Sequence, residues 1–158
     1  MITAGILAAL MALDLGGFLL ASRPDDLSRY DGRQVSVVRV ISAHTLEIDL
    51  ADEVVQTPTT RVRLWGVTAA PNDEALKLTQ SLTEQQVVTL RLEPHRTRDA
   101  FDRVLAHVEL VGGETINELL LEAGQAKVDE SQPHRMLARY AQAQHQARRN
   151  GRGAWSDD

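Results

Sequence analysis

Arg61-Val62-Arg63-Leu64-Trp65-Gly66-Val67 alternates polar and apolar residues over its first four positions. A period of two in β-formers predicts a half-buried strand, here residues 61–67, with Val62 and Leu64 on one face. Upstream, residues 34–40 alternate through Val35 and Val37, and residues 45–50 through Leu46, Ile48 and Leu50. Ser42-Ala43-His44 between them reads as the turn of a hairpin. A longer turn, residues 51–60 with Pro58, leads to the strand quoted first. Downstream, residues 86–92 and 103–110 supply a fourth and a fifth strand, the last ending at Gly112-Gly113.

Three segments carry a helical period instead. Residues 72–83 place Ala75, Leu76, Leu78 and Leu82 on one face. Residues 115–123 turn Ile116, Leu119, Leu120 and Ala123 inward and stop at Gly124, a C-terminal cap. Residues 133–150 open at Pro133, run a stripe through Met136, Leu137, Tyr140, Ala143 and Ala147, and end at Gly151. Five short strands with turn signals suit a closed barrel of the OB type. The expected class is therefore α+β: a five-stranded barrel with three helices in one domain, residues 34–158.

The 158 residues hold 17 basic and 22 acidic side chains, a net charge of -5, and no cysteine. Disulfides and thiolate metal sites are excluded. An acidic body does not attract polyanions as a whole, so nucleic acid is an unlikely partner. A local basic groove from residues 61–63 and 96–103 is still allowed.

Residues 2–22, ITAGILAALMALDLGGFLLAS, contain one charge. Twenty-one such residues span about 30 Å as a helix, the depth of a bilayer core. A secretory signal, which would lack its basic n-region here, and a buried helix of a soluble protein are the competing readings. Residues 1–22 are thus expected to be a transmembrane anchor, single-pass, with residues 23–33 a polar linker. The positive-inside rule favours a cytoplasmic body, and an export signal would put it outside; the side stays open. Asp14 inside this segment is costly unless protonated or partnered. Ala8, Ala12, Gly16 and Gly17 would let another helix approach. A membrane protein complex, met through the helix and the barrel, is the expected partner.

Several strings along the body resemble the staphylococcal nuclease (thermonuclease) family. Arg63-Leu64-Trp65-Gly66-Val67 is similar to its R-L-x-G-I, and residues 99–106, DAFDRVLA, to its D-x-Y-G-R-x-L-A. Residues 117–126, NELLLEAGQA, are similar to its N-x-x-L-x-x-x-G-x-A, and Ala147 with Gly153-Ala154-Trp155 to its C-terminal A-x(n)-G-x-W. The resemblance runs from about Val35 to Trp155 and implies the barrel fold.

It also implies a site: one calcium ion and one glutamate base to activate water, and two arginines to stabilise the charged phosphate. The first metal segment, D-G-D-T in the family, is Ser42-Ala43-His44-Thr45 here. The second, D-A/T-P-E, is Thr68-Ala69-Ala70-Pro71 without a gap; one inserted residue moves the base position from Pro71 to Asn72. Ser42, His44 and Thr68 thus replace the ligands, and neither register leaves a carboxylate as ligand or base. Calcium wants several carboxylate and carbonyl oxygens, which this set lacks. The two arginines remain, as Arg63 and Arg103, and are the candidate phosphate binders. Arg63 has a structural alternative, pairing with an acid such as Asp49; Arg103 has the same with Asp99 or Asp102.

The leading expectation is a non-catalytic, membrane-anchored interaction module without cofactor. One alternative is a calcium-dependent phosphodiesterase with a relocated metal site at Asp73, Glu74 or Glu47. The other is a binder of nucleic acid or phosphate that does not cut. His44, His95, His107, His134 and His145 show no metal-binding spacing and read as surface or satisfied histidines. Trp65, Phe101 and Trp155 read as packing residues before stacking platforms.

Overall fold

The computed structural model describes residues 24–156. The expected anchor, with Asp14, Gly16 and Gly17, lies outside the described residues. Among the described residues no helix is long and apolar enough to cross a membrane.

Five strands close a barrel: β1 (Gln34–Ser42), β2 (Thr45–Ile48), β3 (Thr60–Leu64), β5 (Val87–Arg91) and β6 (Val104–Glu109), in the order β1-β2-β3-β6-β5. The pairings are antiparallel except β3 with β6. Val35, Val37, Leu46, Ile48, Val62, Leu64, Leu90 and Val104 fill the interior. Register shifts in β1 after Val37 and after Val40 break the strict alternation there.

The third strand departs from the expected 61–67. Gly66 takes φ +72°, which turns the chain after Leu64, so Val67–Ala69 (β4) leaves the barrel. It pairs with Ala126–Val128 (β7), a strand absent from the sequence reading. Three residues each are too short to show a period.

Pro24–Tyr30 (α1) is a fourth helix, inside the segment read as a polar linker. Its polarity is deceptive. Tyr30 is fully buried, and Asp26 is buried against Arg98, which donates to it at 2.9 Å. Arg98 also donates to the buried Asp52 at 2.7 Å. The other helices are α2 (Asp73–Thr83), α3 (Ile116–Glu122) and α4 (Leu137–Arg149), followed by a short 3₁₀ turn at Gly153–Trp155. α4 begins at Leu137, four residues beyond Pro133. The intervening residues turn back, with Leu137 N–H bonded to His134 O, and Arg135 reaches Glu93.

α3 ends as expected. Gly124 takes φ +69°. Gln125 N–H reaches Leu120 O at 2.8 Å, and Gly124 N–H reaches Leu121 O at 3.0 Å, a Schellman closure. Gly124 must also be glycine for contact: a Cβ there would stand 2.0 Å from Arg152 O. That approach seats the terminal turn, where Trp155 is buried beneath the Arg148 and Lys127 cations. Asn117 is a tie between layers, its Nδ2 donating to Trp65 O at 2.9 Å and its Oδ1 accepting from Val108 N at 3.1 Å.

Candidate functional site

The β1–β2 turn and the segment after β4 face each other across a cleft of about 330 Å³, lined by Ser42, His44, Ala69, Pro71, Asn72 and Asp73 among others. The two segments that the resemblance sets against the family's metal loops are therefore brought together. Their side chains have other duties. Asn72 caps α2, its Oδ1 accepting from Ala75 N at 2.8 Å. Thr68 is exposed on β4, in register with Lys127.

The acids offered as relocated ligands are dispersed. Asp73 lies in the first turn of α2 and lines this cleft. Glu74 accepts from Gln125 Nε2 at 3.2 Å. Glu47 is held by Arg39 at 2.6 Å and by Thr59 at 2.6 Å.

The centre of the groove is cationic. Burial first, and then the Arg63 and Arg103 charges, push His44 below the ordinary imidazole range, with Asp99 opposing. His44 is thus a neutral imidazole beside two guanidinium groups. A hard dication at this point would meet hydroxyl, amide and imidazole donors, a single carboxylate (Asp73) and two positive neighbours. These residues do not fit calcium.

The two arginines are in different states. Arg103 is engaged: its Nε donates to Asp99 Oδ2 at 2.7 Å, its Nη2 pairs with the same oxygen at 2.6 Å, and its Nη1 reaches Thr45 Oγ1 at 3.1 Å. Its guanidinium also lies 5.4 Å from the centre of the exposed Phe101 ring. Between them Asp102 takes φ +58°. That explains the family's glycine at this position, since a left-handed turn is costly for residues with a Cβ and least so for Asp and Asn. Its backbone oxygen accepts from Arg98 at 2.8 Å.

Arg63 is not engaged. It sits opposite Thr45 in the sheet register, and among the described residues it makes no ion pair, with Asp49 or any other acid. Its Nε is buried without a hydrogen-bond partner. Burial, then the Arg103 charge, holds this guanidinium below its ordinary range, while Asp99 and Asp129 act the other way.

Arg63 and Trp65 line a cleft of about 150 Å³ with Arg96, Asp99, Asp129 and Ser131. Trp65 Nε1 is a second buried donor without a partner. Both residues line the cleft, while these two N–H groups themselves are closed off from solvent. Asp99 is paired with Arg103, while Asp129 accepts from Ser131 N at 3.0 Å and keeps its charge in the cleft. Sequence reading set Arg63 with residues 96–103, Arg96 among them, as a possible basic groove. It did not bring in Asp129 and Ser131, which lie together in the loop after β7.

The sequence model of the family described as staphylococcal nuclease homologue matches residues 49–157. No curated protein matches the chain.

Proposed function

Because the chain belongs to the staphylococcal nuclease family, we propose that it is a non-hydrolysing member whose groove binds a phosphate-type anion through Arg63. The observation that carries this is Arg63, a guanidinium that makes no ion pair among the described residues and lines one cleft with Arg96. An anion bound there supplies the counter-charge that the Arg63 guanidinium lacks. An inorganic phosphate or a phosphate ester has the required charge and acceptor oxygens.

Turnover lacks its parts. The base position is Pro71 or Asn72, and Asn72 is consumed as a helix cap. Loss of a general base costs about 10²–10⁴ in rate. Loss of the metal removes several kcal/mol more, so the combined deficit is on the order of 10⁵ or greater.

We assign residues 2–22 as a membrane anchor on their length and single charge. The domain then acts as an accessory interaction module beside a membrane protein, contacted through Asp14, Gly16 and Gly17. Co-purification from detergent-solubilised membranes, compared with Asp14→Leu, tests that assignment; an unchanged set of co-purifying proteins speaks against it.

The functional test uses the full chain in mild detergent with single-stranded DNA, in calcium and then in chelator, alongside titration with pyrophosphate. The expected result is intact DNA and saturable pyrophosphate binding that Arg63→Met abolishes. Calcium-dependent cleavage contradicts the proposal.

A further inference from the structure

On the other side of Gly66 lies a second group that the anion site does not use. Glu93, His107 and His134 each offer a ligand atom, and these atoms all lie within 4.8 Å of one another. Among the described residues no other group of three or more histidine and acidic side chains is gathered in this way. We propose that these three residues bind a divalent transition-metal ion of the zinc type.

Each ligand comes from a different element. Glu93 follows β5, His107 lies on β6, and His134 precedes α4. β6 is covered on both faces, so His107 is buried outside the barrel lumen, at 1% exposure, and Glu93 is buried beside it. His107 Nδ1 lies 2.8 Å from Tyr140 Oη, and its Nε2 lies 3.1 Å from Glu93 Oε1. Without an ion, Nε2–H donates to Glu93 Oε1 and Nδ1 accepts from the Tyr140 hydroxyl; a metal on Nε2 would take the place of that proton, with Nδ1–H then donated to Tyr140 Oη. Tyr140 Oη, in turn 3.4 Å from Thr115 Oγ1, can donate its own hydrogen bond to that hydroxyl. A second hydrogen bond that fixes tautomer and ring orientation is the usual support of a metal-ligating histidine.

His134 supplies the independent sign. Both of its ring nitrogens are buried and neither has a hydrogen-bond partner. An imidazole always carries at least one N–H and one further nitrogen, so this leaves polar atoms unsatisfied in the interior. Its ring stacks 5.2 Å from that of His107 and 5.3 Å from that of Tyr140. Room for it exists only because residue 66 is glycine: a Cβ there would stand 2.4 Å from His134 Nε2.

Two imidazoles and one carboxylate suit zinc or cobalt(II) and not calcium or magnesium, which prefer all-oxygen shells. Burial holds both imidazoles below their ordinary range, hence neutral and able to coordinate near pH 7. The competitor is Arg135, whose backbone N and Nε donate to Glu93 Oε1 at 3.1 and 3.2 Å. That side chain is half exposed but also held by Leu92 O through Nη2; both of its bonds to Glu93 fall on Oε1, and the carboxylate has a second oxygen to offer the ion. A cavity of about 230 Å³ lined by His107, Glu109, Thr115 and Arg135 gives an approach from solvent. The bound ion would clasp the segment before α4 onto the barrel, with solvent in the fourth position.

The test uses the full chain, stripped with chelator and titrated with ZnCl₂ and, separately, CoCl₂. One zinc per chain should bind, raising Tm by roughly 5 °C at a hundredfold excess over Kd. Cobalt should give the visible absorption of a four-coordinate site. His134→Phe and His107→Gln should each abolish both signals, while exposed His145→Ala and the anion-site variant Arg63→Met leave them intact. If His107→Gln does not fold, His134→Phe decides. No stoichiometric zinc, or zinc binding retained in His134→Phe, overturns the proposal.

Discussion

Arg103 and Asp99 close an ion pair at 2.6 Å, four residues apart, with the carboxylate only 11% exposed. The pair takes one of the two family arginines out of the groove and leaves Arg63 as its uncommitted cation. Asp99 Oδ1 also accepts from Phe101 N and Arg103 N, so the carboxylate shapes the loop that carries the arginine.

Asp99→Asn should therefore free Arg103 without undoing the loop, because an amide oxygen can keep both backbone contacts. It also removes a negative charge beside the anion cleft. Pyrophosphate affinity should rise about tenfold, equivalent to ~1.4 kcal/mol. Calorimetric titration reads this directly, and unchanged affinity would mean that Arg103 is not a latent anion ligand.

Arg63→Met should stabilise the fold while removing anion binding. The native side chain is a partly buried guanidinium without an ion pair, and an apolar chain of similar length does not carry that penalty. A gain of about 1 kcal/mol, or a few degrees in Tm, is expected in thermal denaturation. A fall in Tm would show that Arg63 has a structural partner after all.

The Asp26–Arg98–Asp52 group ties α1 to the barrel. Asp26→Ala leaves a buried guanidinium half compensated and should cost about 3–5 kcal/mol, read as a lower urea midpoint. Acid acts on the same group. Burial works against the Asp52 carboxylate, but its hydrogen bonds and ion pair with Arg98 prevail and hold it below its ordinary value of 3.8. The unfolded chain then binds the proton more readily than the folded one. The contribution is complete above that value and is lost as pH falls through the lower folded value. Asp52→Asn should remove this step from the stability–pH curve below about pH 4.

Gly124→Ala combines a left-handed φ of +69° with a Cβ placed 2.0 Å from a backbone oxygen. A loss of at least about 2 kcal/mol is expected, with Trp155 fluorescence reporting release of the terminal turn. A fully folded variant with unaltered Trp155 emission would contradict the packing described.

The barrel was legible because Val35, Leu46, Val62 and Val104 sit in strands long enough to show a period of two. Asn117, Gly124 and Trp155 were legible through the family strings, and the geometry gives each a reason. α1 was not, since Tyr30 and Asp26 are buried by partners some 30 and 72 residues away, and a polar heptapeptide carries no sign of them. β4 and β7 were missed because three residues show no period, and Gly66 reads as a family residue before it reads as a bend. At the site, the sequence singled out Arg63 and set Ser42, His44 and Thr68 against the family's ligand positions; the first two line one cleft. It did not show that Arg103 is already paired, nor that His107 and His134 meet. Both facts depend on contacts between segments that no local spacing encodes.

The most direct measurement is calorimetric titration of the full chain with pyrophosphate, wild type against Arg63→Met. The account predicts saturable one-to-one binding in the wild type that weakens as salt rises, and none in the variant. Equal binding by both proteins, or none by either, would contradict it.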